Sequence, residues 1–299
     1  MSIDITPTHP AKSYMLRIFK CIFRQKSKTK RCPDLNGIEG KSVLVTGGSA
    51  GVGEFISRSL IKAGANVTSI SRGLSQNTGS ITGLKSIVCD LASPKSIVSV
   101  VNQFDGKQFD IVICNAGVTL NHYQKTELGI EKTFAVNVFG HHLLYRLLIE
   151  HNRLADNGKI IMTSGEIYVH ANDCIPNPEP YKAMRAYAGS KLGNLWQVLE
   201  LTKRYPQIKA IAVHPGVIAS GFGMASKEGL LHWLKNRVMI SEELGAQSSL
   251  IAATQHLPNG AYWHNVHGII DLPDDDIAKN EVLSLKLWNQ LETLAEPWI

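Results

Sequence analysis

The stretch "LVTGGSAGVG" (44–53) joins a short apolar run to a helical one through a turn that holds three glycines. Their spacing is G-x-x-x-G-x-G, a pattern that also occurs in ordinary turns. Where such a turn closes the first strand and opens the first helix of a βαβ unit, its main-chain N–H groups and the helix N-terminus can hold a pyrophosphate. The stretch therefore predicts dinucleotide binding. The residues expected at the phosphates are Gly47, Ser49, Gly51, Val52 and Gly53.

From residue 41 onward, short β-branched runs alternate with longer helical patterns. The predicted strands are 41–46, 66–70, 85–89, 109–114, 159–163 and 208–213. The predicted helices lie near 52–63, 94–104, 125–150, 185–204, 241–255 and 278–293. Strands that are apolar throughout and separated by helices indicate a parallel sheet covered on both faces. A chain of 299 residues with 44% hydrophobic residues can bury one large core. We therefore expect a single doubly wound, Rossmann-type α/β domain over residues 37–299.

The ends of the next three strands carry residues that suit a cofactor. Arg72 follows the second strand in "SISRG", where an enzyme that selects NAD normally has a carboxylate. A guanidinium suits the 2′-phosphate of NADP, although exposed arginines are common on any surface. Asp90 fits a hydrogen bond from the adenine amino group, or a cap on the next helix at Ser93. Gly117 in "CNAG" (114–117) lets the backbone approach a cofactor closely. NADP is therefore the predicted cofactor, ahead of NAD.

The motif "YAGSK" (187–191) lies in a helical segment after the fifth strand. Four-residue spacing places Tyr187 and Lys191 on one helix face, one turn apart. A phenol with a pKa near 10 is a poor acid or base at neutral pH, but a neighbouring ammonium stabilises its phenolate. Many helices contain such a pair by chance. Downstream of a dinucleotide motif, it predicts proton transfer by Tyr187.

The net charge of +6 comes from the first 36 residues, which hold eight basic and two acidic side chains. The other 263 residues carry 23 of each sign, and a neutral body argues against a nucleic-acid partner. The apolar run in "YMLRIFKCIFRQKSKTKR" (14–31) is too short and too charged to span a bilayer, and it does not resemble a secretory signal. Peripheral contact of residues 12–31 with an anionic membrane, a disordered tail and a transit peptide all fit this composition.

The five cysteines are odd in number and lack CxxC spacing, which argues against a disulfide scaffold and a zinc site. They are Cys21, Cys32, Cys89, Cys114 and Cys174. We expect an intracellular protein without a metal, in the cytoplasm or at a membrane surface.

With these residues assembled, the chain resembles the short-chain dehydrogenase/reductase superfamily over residues 38–270. The resemblance rests on "TGGSAGVG", "CNAG", "YAGSK" and "HPG" (214–216) in the expected order and spacing. The segments "TFAVNVFGHHLLYRLL", "AYAGSKLGNLW" and "SEELGAQSSLIAAT" are most similar to the branch of the retinol dehydrogenases and WW-domain oxidoreductases. The resemblance implies an oxidoreductase that moves hydride between a nicotinamide and an alcohol or carbonyl carbon.

The resemblance also implies roles for individual residues. Tyr187 would be the general acid/base, and Lys191 would lower its pKa and bind the nicotinamide ribose. Asn137 would hold a water that relays protons to Lys191, although an asparagine within a helix is also satisfied by backbone. The remaining implied cofactor contacts are Arg72 at the 2′-phosphate, Asn115 in the adenosine-side pocket, Pro215 in "HPG", and Ser220 where a threonine usually contacts the carboxamide.

In the family, the fifth strand runs from a glycine to two consecutive serines, and the second serine polarises the substrate carbonyl. Counting without a gap from Gly158 in "GKIIMTSG" puts Gly165 in that position. A strand shorter by one residue puts Thr163 and Ser164 on the pair instead. Because strand side chains alternate between faces, the two registers point Ser164 in different directions. Ungapped matching is simpler, but "TS" is chemically closer to the expected pair than "SG", and we expect Ser164 to hold the catalytic position. If Gly165 holds it instead, one oxyanion donor is missing, and such a loss costs on the order of 10²–10³ in rate.

Two segments are expected to shape the substrate side. One is the set of 22 residues between Ser164 and Tyr187, and the other is 222–239, which fits an apolar lid or ordinary packing. With the apolar tail, they favour a small lipophilic substrate such as a retinoid, a steroid or a fatty aldehyde. The competing hypothesis is a cofactor-binding regulatory or scaffold protein with weakened catalysis. Helices 125–150 and 185–204 fit a family-like homodimer, whereas the tail fits a monomer.

Overall fold

A computed structural model describes residues 14–73, 81–175, 179–218 and 238–299, with the backbone alone for residues 14–20. Ser220 and most of the predicted lid at 222–239 lie outside the described residues, as do residues 1–13 of the tail and residues 176–178 of the segment before Tyr187.

The described strands form one eight-stranded sheet in the order β3-β2-β1-β4-β5-β6-β7-β8. They are β1 Ser42–Thr46, β2 Asn66–Ser71, β3 Lys85–Val88, β4 Phe109–Cys114, β5 Leu154–Thr163, β6 Lys209–His214, β7 Tyr262–His264 and β8 Gly268–Ile270. Strands β1 to β7 run parallel, and β8 pairs antiparallel with β7 at one edge. The strand order reverses between β1 and β4, and a ligand crevice is expected at the carboxyl ends there. The predicted doubly wound sheet is confirmed.

Helices cover both faces of the sheet because alternate strand residues face opposite sides. The described helices are α1 Tyr14–Lys28, α2 Gly51–Lys62, α3 Pro94–Asn102, α4 Lys132–Phe134, α5 Gly140–Glu150, α6 Ala183–Arg204, α7 Glu242–Thr254 and α8 Glu281–Ala295. Leu44 and Ile160 belong to the apolar core that includes residues of α3, α5, α6 and α8. Val45 and Ile161 belong to the opposite core, which includes residues of α2 and α7.

The long helix predicted over 125–150 begins later than expected. Gly129 has a φ of 75°, and the Thr126 amide donates to the Ile130 carbonyl at 2.9 Å, so residues 126–130 form a turn. The Glu131 carboxylate then accepts from the Phe134 amide at 2.7 Å and caps the helix that follows. After α4, the helix widens to a π-helical turn over Ala135–Phe139 and continues as α5. A glycine at positive φ and a capping carboxylate set this boundary.

The N-terminal segment is helical and packs against the domain. Cys21 and Gln25, one turn apart on α1, are 8% and 2% exposed. The amide of Lys30 donates to the carbonyl of Asn265 at 2.6 Å, and the amide of Cys32 donates to the side chain of Gln247 at 2.9 Å. Residues 21–32 are therefore bound to the α/β domain. Among the described residues, no helix has both the length and the apolar character needed to cross a membrane.

Helix α8 covers part of the face that α5 and α6 present. Glu292 of α8 lies 2.8 Å from both His142 and Arg146 of α5. Trp288 is 3% exposed and packs edge-on against His142, with ring centroids 4.9 Å apart. The face expected for a family-like dimer is thus occupied in part by the chain's own C-terminal helix.

Candidate active site

The glycine-rich turn requires glycine at three positions, two because of their backbone conformation and one because it has no room for a side chain. Gly47 and Gly51 have φ values of 69° and 56°, which favour glycine. A Cβ at Gly53 would collide with the carbonyl oxygen of Gly47. Helix α2 begins at Gly51, and Ala50 before it supplies no side-chain cap. The first N–H groups of α2 therefore face the end of β1 in the manner of an anion-binding helix terminus.

The side chains at the end of β2 connect to this turn. The hydroxyls of Ser49 and Ser71 lie 3.0 Å apart, and Arg72 follows as an exposed residue. At the end of β3, Asp90 accepts from the Ala92 amide at 2.9 Å, while Ser93 caps helix α3. Ser93 therefore caps helix α3, so the capping role considered for Asp90 is filled by another residue. Arg72 and Asp90 lie at the ends of adjacent strands, where the adenosine end of a dinucleotide is expected.

The turn after β4 links the glycine-rich turn to the catalytic end. The side-chain amide of Asn115 donates to the Thr46 carbonyl at 3.1 Å, and its main-chain amide donates to the Thr46 hydroxyl at 2.9 Å. A Cβ added to Gly117 would lie 3.4 Å from Asn137 Oδ1 and 3.7 Å from Lys191 Nζ. The predicted residues of both ends of the site therefore meet at residues 115–117.

Asn137 lies within the π-helical turn and is fully buried. Its side chain accepts from the Val118 amide at 2.7 Å and donates to the Val118 carbonyl and the Ser190 hydroxyl at 2.9 Å each. The Ser190 hydroxyl in turn donates to the Tyr187 carbonyl at 2.7 Å. The side chain of Asn137 thus ties the π-helical turn to the first turns of α6.

His141, which the sequence had not singled out, holds the backbone of Asn137. Its Nδ1 lies 3.2 Å from the Asn137 carbonyl, and its Nε2 lies 2.9 Å from the Thr46 hydroxyl. Burial, with a smaller contribution from the charge of Lys191, lowers the pKa of His141 to about 4, although the hydrogen bond to the Asn137 carbonyl acts to raise it. A neutral ring satisfies both contacts when Nδ1 donates to Asn137 and Nε2 accepts from Thr46. The main chain of Asn137, the residue expected to hold a relay water, therefore has a side-chain partner.

Tyr187 and Lys191 lie one turn apart on α6, as predicted. The Nζ of Lys191 lies 5.3 Å from the centroid of the Tyr187 ring and donates to the Thr163 carbonyl at 3.0 Å. Burial lowers the pKa of Lys191 to about 8 and raises the pKa of Tyr187 to about 12. The shift of Tyr187 is opposite to the one expected from Lys191, because desolvation disfavours the phenolate.

Ser164 follows β5 and is 2% exposed. Its hydroxyl donates to the Lys191 carbonyl at 2.8 Å, so the side chain faces helix α6. A Cβ added to Gly165 would point toward His214, with Nδ1 3.6 Å away. The assignment of Ser164 as the catalytic hydroxyl stays a prediction, and this bond favours the ungapped register that puts Gly165 in the slot.

A group of buried polar side chains that sequence reasoning missed surrounds Gly165. Glu166, His214 and His264 are 4%, 6% and 0% exposed, and their ligand atoms lie within 4.8 Å of one another. The Nδ1 of His264 accepts from the amides of Val266 and His267, at 3.0 and 3.3 Å. Its Nε2 therefore carries the ring proton and lacks the lone pair that a metal needs, and it lies 3.4 Å from the Glu166 carboxylate. The only sequence signal was the histidine of "HPG".

The predicted substrate segment contributes a small cavity. It has a volume of about 310 Å³ and is lined by His170, Asn172, Asp173, Cys174, Ile175, Pro180, Lys182, Arg185 and Ala186. The lining residues come from the stretch between Ser164 and Tyr187 and from the start of α6. Pro215 is buried directly after His214 at the end of β6.

The sequence matches known proteins across most of its length. A family model described as short chain dehydrogenase matches residues 41–230. Retinol dehydrogenase 12 of Mus musculus is 30% identical over 285 residues, covering 87% of this chain and 88% of that protein. The WW domain-containing oxidoreductase of Gallus gallus is 27% identical over 286 residues, covering 86% of this chain and 68% of that protein.

Solved structures share the fold. A protein from Mycobacterium paratuberculosis superimposes with a TM-score of 0.71 at 24% identity, covering 90% of this chain and 98% of that one. A blue fluorescent protein from a metagenomic library, in complex with NADPH, has a TM-score of 0.60 at 21% identity, covering 78% of this chain and 99% of that one.

Proposed function

The chain belongs to the short-chain dehydrogenase family, in its retinol-dehydrogenase-like branch, and we propose that it is an NADP(H)-dependent oxidoreductase. It would move hydride between the nicotinamide and an alcohol or carbonyl carbon of a lipophilic substrate. The observation that carries this proposal is the hydrogen-bonded chain from the Asn137 side chain through the Ser190 hydroxyl to the Tyr187 carbonyl, with the Lys191 Nζ 5.3 Å from the centroid of the Tyr187 ring. Such a coupled set of a proton donor, a cation and an orienting amide has the chemistry for carbonyl reduction.

The residues present fit a nicotinamide dinucleotide. The backbone of Gly47, Ser49, Gly51, Val52 and Gly53 would hold the pyrophosphate, with Asp90, Asn115 and Gly117 along the dinucleotide and Pro215 and Ser220 at the nicotinamide end. Among the described residues of β2 and the two that follow it, there is no acid to select NAD. The exposed guanidinium of Arg72 instead suits a 2′-phosphate, which supports NADP. A structural relative that contains NADPH agrees with this choice.

Tyr187 would transfer the proton. A phenol with a pKa raised by burial keeps its proton at neutral pH and can give it to a developing alkoxide. Lys191 would stabilise the phenolate left behind, and Asn137 fixes the start of α6 on which both residues lie. The bound cofactor would supply or accept the hydride. This chain's residues can therefore supply the proton that carbonyl reduction needs at neutral pH.

We propose that Gly165, and not the expected Ser164, occupies the position where the family has its second serine. The hydroxyl of Ser164 is bonded to the Lys191 carbonyl, and a side chain at Gly165 would point into the group of Glu166, His214 and His264. The same observation favours the second candidate function, a cofactor-binding regulatory or scaffold protein with weak catalysis.

Two features support a lipophilic substrate and contact of the protein with a membrane surface. Relatives of this branch are named retinol dehydrogenases. On α1, Phe23 is 67% exposed, and Arg24, Lys26 and Lys28 are exposed on the same helix. An apolar ring among cations suits an anionic bilayer surface, and we propose an intracellular, cytoplasmic protein with peripheral membrane contact. Equal co-sedimentation with anionic and zwitterionic vesicles would oppose it. A homodimer through α5 and α6 stays a prediction.

The proposed activity is tested by NADPH oxidation against retinaldehyde, a steroid ketone, a long-chain aldehyde and a small polar ketone. We expect turnover of a lipophilic carbonyl that falls at least about a hundredfold in Tyr187→Phe, because proton transfer contributes about 10²–10⁴ to the rate. Tyr205→Phe, at a half-buried tyrosine just after α6, is the matched control. Tight NADPH binding without turnover on any substrate, and no effect of Tyr187→Phe, would favour the scaffold function.

A further inference from the structure

The carboxylate of Glu242 lies against the glycine-rich turn. A Cβ built on Gly51 would lie 3.4 Å from Glu242 Oε1 and 3.8 Å from Glu242 Cδ. Apart from the residues next to Gly51 and the backbone of α2, no other atom of the described residues comes within 4 Å of that point. Glu242 therefore borders the side of Gly51 that the missing side chain leaves open.

This open side is the one that a dinucleotide needs. Gly47 has the positive φ of a tight turn, and Gly53 allows α2 to pack closely on the carbonyl of Gly47. Gly51, the middle glycine, suits the remaining task of such a motif, which is to let the backbone approach the pyrophosphate. Helix α2 also begins at Gly51, so its first N–H groups lie there. The carboxylate of Glu242 therefore lies where an anion is expected to bind.

The first turn of α7 fixes the position of this carboxylate. The hydroxyl of Ser241 caps α7 and accepts from a main-chain amide of that turn at 3.3 Å. One turn after Glu242, Gly245 is buried, and a Cβ there would lie 2.6 Å from Ile218 Cδ1 and 3.3 Å from Val52 Cγ2. The start of α7 is thus packed closely on the start of α2, which keeps Glu242 beside Gly51.

The charge of Glu242 acts on this site without a neutralising partner. Among the described residues, no hydrogen bond or ion pair engages its carboxylate. Glu54, the acid in the first turn of α2, is instead paired with Arg58 at 2.8 Å. Glu242 is also half-buried, so water screens its charge less than it screens that of an exposed glutamate.

We propose that Glu242 sets the affinity for the cofactor, because its carboxylate competes with the pyrophosphate for the N-terminus of α2. A carboxylate at a helix N-terminus makes the same kind of favourable contact that a phosphate makes. The pyrophosphate must therefore bind against the charge of Glu242, which weakens the binding of NADP and NAD alike. The inference rests on the proposed dinucleotide binding, and it concerns the part that both cofactors share, unlike Arg72.

The test measures the Kd of the full chain for NADPH and for NADH by fluorescence titration. Glu242→Gln keeps the shape of the side chain and removes its charge. We expect this variant to bind both cofactors about tenfold more tightly, as removal of a like charge from a half-buried site does. Glu243→Gln is the matched control, because it removes an exposed charge from the same turn of α7. Both of its Kd values should stay within about twofold of wild type.

The dependence on salt shows whether charge is the cause. The ratio of the wild-type Kd to the Glu242→Gln Kd should fall as the salt concentration rises from about 0.05 M to about 0.5 M, because salt screens repulsion. A ratio that does not change with salt would overturn the proposal. So would equal or weaker binding to Glu242→Gln, which is the result of a merely structural role, and so would a gain for NADPH alone.

The reduction of carbonyls decides the proposed function separately. If the wild type reduces a lipophilic carbonyl and Glu242→Gln binds both cofactors as the wild type does, the function stands and the inference fails. If no carbonyl is reduced but Glu242→Gln binds both cofactors more tightly, the function fails and the inference stands. If neither protein binds NADPH or NADH, both fail.

Discussion

The hydroxyl of Ser164 donates to the main-chain carbonyl of Lys191, 2.8 Å away, on the helix that carries Tyr187. This bond holds the serine against α6 and directs it away from the face where Gly165 is open. An oxygen with its proton engaged in a buried bond must break that bond before it can donate to a substrate. The pair therefore joins the end of β5 to α6, which is a structural task.

The first prediction concerns Gly165, which we propose to occupy the position of the family's second serine. Gly165 has an extended φ of 179°, and an added Cβ meets only ordinary contacts, His214 at 3.6 Å and Ile167 at 3.9 Å. Gly165→Ser should therefore fold normally and raise kcat by about tenfold to a hundredfold, because it restores an oxyanion donor. Steady-state reduction of a lipophilic aldehyde measures it.

Ser164→Ala is the complement of that variant. It should cost about 1–2 kcal/mol of stability, as a lost buried hydrogen bond does, and little of kcat. If kcat instead falls by 10² or more and the melting temperature is unchanged, Ser164 holds the catalytic position.

The second prediction is a pH dependence set by Tyr187. Burial raises the pKa of its phenol to about 12. At pH values below this pKa, the phenolate fraction increases about tenfold for each unit by which the pH rises. Alcohol oxidation, which needs the phenolate, should therefore rise about tenfold per unit from pH 6 to 8, where Lys191 with its pKa of about 8 keeps much of its charge. Carbonyl reduction, which needs the phenol, should stay level. A rate of alcohol oxidation that no longer changes with pH at pH 7 would mean that the charge of Lys191 lowers the pKa of Tyr187 more than burial raises it.

The third prediction concerns cofactor choice. If Arg72 binds the 2′-phosphate, Arg72→Ala should weaken NADPH binding by about tenfold to a hundredfold, the value of a charge-assisted hydrogen bond, and leave NADH binding unchanged. Fluorescence titration with both cofactors measures the two affinities. Arg58→Ala, at an exposed arginine ion-paired with Glu54 on α2, is the control. Equal losses for NADPH and NADH would show that Arg72 does not read the phosphate.

The parts of the fold that follow from buried apolar runs were predictable, and those set by single polar contacts were not. Strands β1 to β4 and β6 begin and end within one or two residues of the predicted bounds. The last two strands, β7 and β8, were missed, because three residues such as Tyr262–His264 are too short to show a period. The start of α4 was missed because a capping carboxylate at Glu131 carries no periodic signal.

The same distinction applies to the site. Glycine spacing and the Tyr187–Lys191 pair are local patterns, so the sequence predicted them. His141 was missed because one of its two contacts is with the Thr46 hydroxyl of β1, a group 95 residues away that the fold alone brings near. The direction of Ser164 depends on the main chain of a helix 27 residues away, which no strand pattern reveals.

The last prediction concerns the C-terminal helix. Burial alone would raise the pKa of the Glu292 carboxyl, but hydrogen bonds from His142 and Arg146 outweigh it and hold the pKa at about 2. A depressed carboxyl pKa contributes stability above its ordinary value near 4.5, and this contribution is lost as pH falls toward 2. Because Glu292 is a third exposed, we discount the shift and expect Glu292→Gln to cost about 1–2 kcal/mol at pH 7.

The melting temperature of Glu292→Gln should fall by about 2–8 °C, and the gap to wild type should close between pH 4.5 and 2. Glu281→Gln removes the ion pair that an exposed glutamate of the same helix makes with Lys203 at 3.1 Å, and is the matched control. An exposed pair is worth under about 1 kcal/mol, so this variant should melt close to wild type. Equal shifts in both variants, or a gap that persists at pH 2, would mean that Glu292 does not anchor α8 to α5 through its charge.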